Sequence, residues 1–220
     1  MEPTRPESDE YQEWAEAWHR HRSRSALESN LARAGLPEEA FWLRYATWTS
    51  STRGDYPGAL VTRVTALARP GGTVLDIGAG AGTFAIPLAA TARKVTAVEP
   101  SPTQVKRLSA AIADAGARNI DILQSRWEEV DIQSLDSQDL VLAVHSFQML
   151  DIAVALRKMC AMASSCIALI HTAGHNLATL SRELFDIEPG PDYTYLQRIL
   201  IGLGYDPTVT IVAYGYDIPL

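Results

Sequence analysis

Hydrophobic and polar positions alternate with two different periods along the middle of this chain. Between residues 73 and 171, short apolar runs are separated by stretches in which apolar residues recur every three or four positions. The runs predict strands near 73–77, 95–99, 120–124, 139–144 and 166–171. The intervening stretches predict helices near 82–92, 102–115 and 151–163. This order predicts an α/β fold with a doubly wound, mostly parallel sheet covered by helices on both faces.

The N-terminal region has a different pattern. Residues 1–9 are rich in proline and acidic residues, which is typical of a disordered tail. Helical patterns follow over about 10–34 and 38–46, and four of the five tryptophans lie within the first 48 residues. An aromatic stripe on the first helix favours a packing surface over a ligand box. We expect 10–58 to form a helical lid.

The main domain is expected to cover residues 59–220. It begins with a helix near 59–68, and a lid segment is expected to be inserted at about 171–192, with a short helix near 177–185. A helix near 193–203 and a strand near 208–214 complete the predicted elements.

Composition and charge restrict the function classes. The 220 residues are 47% hydrophobic, which is enough for a full core, and the net charge is −7. An acidic chain is a poor match to a nucleic-acid surface, so we expect no nucleic-acid partner. Two cysteines are too few for a disulfide framework. No apolar run is long enough to span a bilayer, and we expect a cytoplasmic protein without membrane contact.

The first candidate ligand-binding residues lie in the turn after the first predicted strand of the sheet. Asp76 ends an apolar run, and glycines follow at alternate positions, Gly78, Gly80 and Gly82. Glycine allows backbone angles that are closed to other residues, and it lets a ligand approach the main chain. Glu99 ends the next strand, where a carboxylate can accept hydrogen bonds from both hydroxyls of a ribose.

The glycine spacing separates two classes of nucleoside ligand. Dinucleotide-binding turns have the spacing G-x-G-x-x-G, whereas this chain has G-x-G-x-G after Asp76. With Glu99 at the right distance, residues 60–170 resemble the class I S-adenosylmethionine-dependent methyltransferases. The resemblance implies a Rossmann-like fold and S-adenosyl-L-methionine as cofactor. It implies a cofactor site formed by Asp76, Gly78, Ala79, Gly80, Gly82, Thr83, Glu99, Pro100, Arg126, Trp127 and His145.

Two motifs depart from the family pattern. After the third strand the family carries a Gly-Asp pair whose acid binds the adenine amino group, but Ser125 and Arg126 stand there. Arginine cannot accept a hydrogen bond, so Arg126 is expected to bond through its backbone, and Trp127 covers either the adenine or the core. The fourth motif, at 139–150, lacks the Asn/Asp-Pro-Pro sequence typical of adenine methylation in DNA.

The family sheet ends with two antiparallel strands, and here only six residues follow the strand predicted at 208–214. We therefore expect the seventh strand to be missing or truncated. An unpaired sixth strand would offer an edge for pairing with a second copy, so a homodimer is a hypothesis.

Methyl transfer is an in-line displacement that needs a base only if the acceptor holds its proton tightly. His145 and His171 are the catalytic candidates, because each follows a strand and an imidazole accepts protons near neutral pH. The substrate candidates are Tyr45, Trp48, Arg53 and His175. We expect no metal, since Gly174 separates His171 from His175 and no third ligand is evident.

The sequence thus predicts an S-adenosylmethionine-dependent methyltransferase acting on a small molecule. Two alternatives remain at this point. One is a nucleotide-dependent oxidoreductase, which the glycine spacing disfavours, and the other is a non-catalytic module that binds the cofactor.

Overall fold

The computed structural model describes residues 2–25, 35, 37, 39–43, 53–54, 56–173, 190–214 and 216–217. Its helices are α1 (Glu10–Ser25), α2 (Gly58–Leu67), α3 (Ala85–Ala89), α4 (Pro102–Asp114), α5 (Ile152–Met162) and α6 (Tyr193–Gly202). Its strands are β1 (Arg53–Gly54), β2 (Thr73–Ile77), β3 (Lys94–Val98), β4 (Ile120–Leu123), β5 (Gln138–Val144), β6 (Ala163–Ile170) and β7 (Tyr216–Asp217). Residues 39–43 are also helical.

Five of these strands form one parallel sheet in the order β4-β3-β2-β5-β6. Side chains of β2 alternate between two apolar cores, since Leu75 and Ile77 pack on one face and Val74 on the other. The predicted doubly wound sheet is confirmed. Strand order reverses between β2 and β5, and ligands of such sheets bind beyond the carboxyl ends of the strands at that point.

Helix α1 packs against α5 and α6 as part of the core. Trp18 on α1 is fully buried, and its indole Nε1–H donates to the carbonyl of Met149 at 2.8 Å. The packing interpretation of the aromatic stripe is confirmed at Trp18, which lies in the core. The first residues, expected as a disordered tail, lie against the end of α6, where the amides of Thr4 and Ser8 donate to Gly204 and Gly202.

The C-terminal segment differs from its prediction. Residues 208–214, expected to form a sixth strand, are irregular, and within the described residues they make no ladder with β6. The prediction of a strand there is wrong. Instead, β7 pairs antiparallel with β1 in a separate two-stranded sheet. Among the described helices, none combines the length and the apolar character that crossing a bilayer requires.

Candidate active site

The glycine turn after β2 is built by contacts on both sides of the backbone. The amides of Gly78 and Ala79 both donate to the carbonyl of Val98, at 2.8 and 3.0 Å, which fixes the turn against the end of β3. Gly78 has a φ of +73°, and a Cβ at this position would collide with the Cβ of Ser146. The turn and the loop after β5 can therefore approach only because residue 78 has no side chain.

Gly80 differs from its neighbours in the turn. Its φ is +56°, and a Cβ there would meet no atom within 4 Å. Gly80 lines the cleft at the carboxyl ends of the strands. Its missing side chain therefore leaves room for a ligand against the backbone, whereas the missing side chain of Gly82 leaves room for Leu108, which a Cβ would approach to 2.7 Å.

Glu99, at the end of β3, is buried beside this turn. Its Oε2 accepts from the amide of Gly80 at 2.9 Å, and its Oε1 accepts from the amide of Ser101 at 2.9 Å. Each carboxylate oxygen can accept a second hydrogen bond. The carboxylate is thus held in place by the main chain at the wall of the cleft.

Asp76 lies on β2 next to Glu99 and is almost completely buried. Desolvation raises the pKa of this carboxyl to about 7, and the charge of Glu99 adds to the rise. Its Oδ2 is buried and has no hydrogen-bond partner in the described part of the chain. A buried carboxylate oxygen without a partner beside an open glycine is well suited to a cationic group of a ligand.

Glu39 joins the N-terminal region to this site, and sequence reasoning missed it. Its carboxylate accepts from the amide of Thr103 at 2.8 Å and from the hydroxyl of Ser101. The pKa of Glu39 is lowered, because these hydrogen bonds outweigh its desolvation. Ser101 and the following proline signal the start of α4, but nothing local indicates a partner 62 residues away. Phe41 and Trp42, in the same helical turn, line the cleft.

Trp127 lies in the core and also borders the cleft. The residue is buried in the core, and its indole Nε1–H donates to the carbonyl of Ala155 at 3.2 Å. The ammonium of Lys158 lies 4.8 Å from its ring centroid. Trp127 nevertheless lines the cleft next to Arg126.

His145 directly follows β5 at the rim of the cleft, in an unusual backbone conformation. Its φ is +51°, the only positive value at a non-glycine residue among those described, and such strain persists where the surrounding structure imposes it. Its Nε2 lies 2.9 Å from the hydroxyl of Tyr214. Partial desolvation lowers the pKa of His145, so the imidazole is neutral at neutral pH. The next residue, Ser146, donates its hydroxyl to the carbonyl of Ile77 at 2.7 Å.

His171 follows β6 and is held more tightly. Its Nε2 donates to the carbonyl of Pro191 at 2.8 Å, and its ring packs 5.0 Å from Phe147 and 5.8 Å from Trp18. Burial lowers its pKa to about 4. Its Nδ1 is buried without a partner among the described residues, so the ring offers the cleft no accessible lone pair.

Most of the predicted cofactor residues meet around one cleft of about 1490 Å³. The predicted residues on its wall are Asp76, Gly78, Ala79, Gly80, Thr83, Glu99, Pro100, Arg126, Trp127, His145 and His171. Gly82 is not on this wall. Tyr45, Trp48 and His175 lie outside the described residues. Arg53 pairs through its backbone in β1, and its side chain lies outside the description.

Tyr56 and Tyr214 lie together in the cleft, a contact that the sequence did not predict. Their rings are 4.9 Å apart between centroids, and Tyr56 lies 6.2 Å from the ring of His145. Tyr56 falls in a turn-rich loop and Tyr214 in a segment predicted as a strand, so no local pattern pointed to a shared site.

Comparison with known proteins agrees with this geometry. Residues 74–165 match the methyltransferase domain family. A probable ribosomal RNA small subunit methyltransferase A from Methanosphaera stadtmanae is 39% identical over 64 residues, which are 29% of this chain and 24% of that protein. The chain therefore matches about a quarter of the length of this curated relative. Because this relative is a probable RNA methyltransferase, the comparisons do not support the expectation of no nucleic-acid partner.

Two solved structures share the fold. Magnesium protoporphyrin IX methyltransferase from Synechocystis, solved with bound S-adenosylhomocysteine, has a TM-score of 0.56 at 19% identity, covering 72% of this chain and 76% of its own. The YcgJ protein from Bacillus subtilis has a TM-score of 0.52 at 21% identity, covering 66% of both chains. The match of residues 74–165 to the methyltransferase domain family, together with this shared fold, confirms the resemblance to the class I S-adenosylmethionine-dependent methyltransferases predicted from the glycine turn and Glu99.

Proposed function

We propose that this chain binds S-adenosylmethionine and transfers its methyl group to a small molecule. The observation that carries the proposal is the pair of buried carboxylates around the open Gly80. Glu99 is fixed by two amides, and Asp76 has a carboxylate oxygen without a partner in the described residues. One carboxylate suits a ribose and the other suits an ammonium group, and S-adenosylmethionine carries both.

Different residues would bind different groups of the cofactor. Glu99 would accept hydrogen bonds from the ribose hydroxyls, and Asp76 would pair with the methionine ammonium. Gly80 allows the ligand to lie against the main chain. When bound, the cofactor supplies a methyl group on a sulfonium, which leaves as a neutral thioether. The protein then contributes mainly by aligning the acceptor with that methyl group and excluding water.

The walls of the cleft support a small acceptor. Beyond the glycine turn, the lining includes the rings of Phe41, Trp42, Tyr56 and Tyr214. Aromatic side chains of this kind enclose a flat, partly apolar molecule, and a few polar groups fix its orientation.

RNA is the second candidate acceptor, because the matched relative is a probable ribosomal RNA methyltransferase. The described charges around the cleft argue against it. The lining includes the cations Arg107 and Arg126, but also five carboxylates, Glu2, Asp76, Glu99, Glu128 and Asp206. A surface that binds a phosphate backbone requires an excess of Lys and Arg.

Calorimetric titration with S-adenosylhomocysteine tests the proposed cofactor site. We expect binding by the wild type and a loss of about tenfold or more in the Gly80→Ala variant, because the new methyl group occupies ligand space. Gly116→Ala is the matched control, since Gly116 has a φ of +63°, a Cβ there also meets no atom within 4 Å, and the residue does not line the cleft.

Both variants should lose similar stability, but only Gly80→Ala should lose affinity. Equal affinities for the two variants, or no binding by the wild type, would contradict the proposal. The acceptor class is tested separately by gel-shift titration with total ribosomal RNA, and salt-dependent binding there would favour RNA.

A further inference from the structure

Tyr214 and His145 meet at the rim of the cleft although 69 residues separate them. The phenol hydroxyl lies 2.9 Å from the imidazole Nε2, and both residues line the cleft. The ring of Tyr56 packs beside both. The contact joins the end of β5 to the irregular segment 208–214, and it lies on the side of β2 opposite Glu99 in the strand order.

We propose that Tyr214 and His145 form a proton-accepting pair for the methyl acceptor, and that this acceptor is an aromatic molecule with a hydroxyl nucleophile. The inference rests on the proposed function and names the substrate class of that site. It makes Tyr214 a catalytic residue that contacts the acceptor and His145 the final holder of the proton.

The hydrogen bond fixes the protonation state of the pair. A tyrosine hydroxyl keeps its proton at neutral pH, so Tyr214 donates and Nε2 of His145 accepts. The imidazole proton then lies on Nδ1. Among the described residues, the titratable groups that contact or interact with His145 are Tyr214 from the C-terminal segment, Tyr56 from the segment before α2, and His171 from the end of β6. His171 has a pKa of about 4 and is neutral, so none of these groups is charged at neutral pH.

The proton balance of the step is complete. A lone pair of the acceptor oxygen forms the bond to the methyl carbon, and the electron pair of the broken carbon–sulfur bond goes to sulfur. The acceptor O–H proton passes to the oxygen of Tyr214 as the tyrosine proton passes to Nε2 of His145. The products are a methyl ether, the thioether and an imidazolium, so the single positive charge is conserved.

The pair also discriminates between acceptor types. A neutral amine attacks through a free lone pair and can release its proton to water afterwards. A hydroxyl holds its proton until the new bond forms, so it gains most from a base within hydrogen-bond reach.

The pair is tested first by NMR titration of the His145 ring in the wild type, Tyr214→Phe and Tyr11→Phe. The pKa of His145 should be higher in Tyr214→Phe than in the wild type, because the lost hydrogen bond stabilised the neutral ring. Tyr11→Phe is the matched control, since the Tyr11 ring lies beneath Arg157 and outside the cleft lining. A His145 pKa that is the same in all three proteins would overturn the pair.

The acceptor class is tested with two probes of similar shape, para-cresol and gamma-picoline. Methylation removes a proton from the first and none from the second. We expect the wild type to methylate para-cresol with a kcat that falls as the pH drops through the measured pKa of His145. In Tyr214→Phe this kcat should fall about 100-fold. His145→Asn, which tolerates the positive φ, should show the same loss.

The outcomes separate this inference from the proposed function. S-adenosylhomocysteine should bind Tyr214→Phe as tightly as the wild type. If the wild type binds S-adenosylhomocysteine but does not methylate para-cresol, the proposal of a hydroxyl acceptor is overturned. Equal losses for both probes would overturn proton acceptance and would leave Tyr214 a packing role. If the wild type does not bind S-adenosylhomocysteine, the proposed function fails, and the NMR titration still decides whether the hydrogen-bonded pair exists.

Discussion

The amide of Gly80 donates to Oε2 of Glu99 at 2.9 Å, and this hydrogen bond joins the turn after β2 to the tip of β3. The same carboxylate accepts from Ser101 at the start of α4. Glu99 therefore organises three segments around the cleft before any ligand is bound. Preorganisation of this kind reduces the conformational cost of binding.

Glu99→Ala should weaken binding of S-adenosylhomocysteine by about 10- to 100-fold, because it removes the charged acceptor to which the ribose hydroxyls would donate. Isothermal titration calorimetry measures the change. Glu16→Ala, an exposed position on α1, should bind as the wild type does. An unchanged Kd in Glu99→Ala would refute the placement of the ribose.

Asp76→Asn should stabilise the unliganded protein at high pH while weakening binding. The folded-state pKa of Asp76 is raised to about 7 from an unfolded value of 3.8. Between these values the folded state keeps a proton that the unfolded state has lost, so the stability of the wild type falls as pH rises. Asparagine does not titrate. The variant should therefore gain up to about 4 kcal/mol relative to the wild type between about pH 4 and pH 7.

Urea unfolding of both proteins across this pH range measures the difference in free energy of unfolding. The affinity of the wild type for S-adenosylhomocysteine should increase with pH up to about 7, since the ligand ammonium pairs with the ionised Asp76. Parallel stability curves for the two proteins would show that Asp76 does not titrate in this window.

Gly78→Ala should destabilise the fold by about 2 kcal/mol, because its Cβ would collide with the Cβ of Ser146 at a positive φ. Adding Ser146→Gly should recover about 1 kcal/mol, since the two side chains compete for one space. Urea unfolding of the two single variants and the double variant measures this coupling. Strictly additive losses would mean that the loop after β5 moves away from the turn instead.

Trp18→Phe should destabilise the protein by about 2–4 kcal/mol. The variant leaves a cavity and removes the hydrogen bond to the carbonyl of Met149. Trp14→Phe is the comparison, because Trp14 lies on the same helix face but is only half-buried against Tyr195. Thermal unfolding should show the larger loss at Trp18, and equal losses would contradict a core role for α1.

The sheet and the turn were predictable because their determinants are local. The apolar run 73–77 is a strand buried on both faces, and the glycines after it have positive φ values. The same reasoning gave a wrong prediction for the segment 208–214. Its β-branched residues favour a strand, but a strand forms only if a neighbour supplies hydrogen bonds, and in the described structure β6 does not pair with it.

The sequence by itself determined which strands are followed by candidate functional residues, including the glycine turn and the acid after the next strand. Spacing along a chain fixes backbone geometry within a few residues. Only the tertiary structure decided which distant groups meet. Glu39 reaches Ser101 across 62 residues, Tyr214 reaches His145 across 69, and Trp18 reaches Met149 across 131. Such contacts depend on how the helices and loops pack on the sheet, and a local pattern carries no information about that packing.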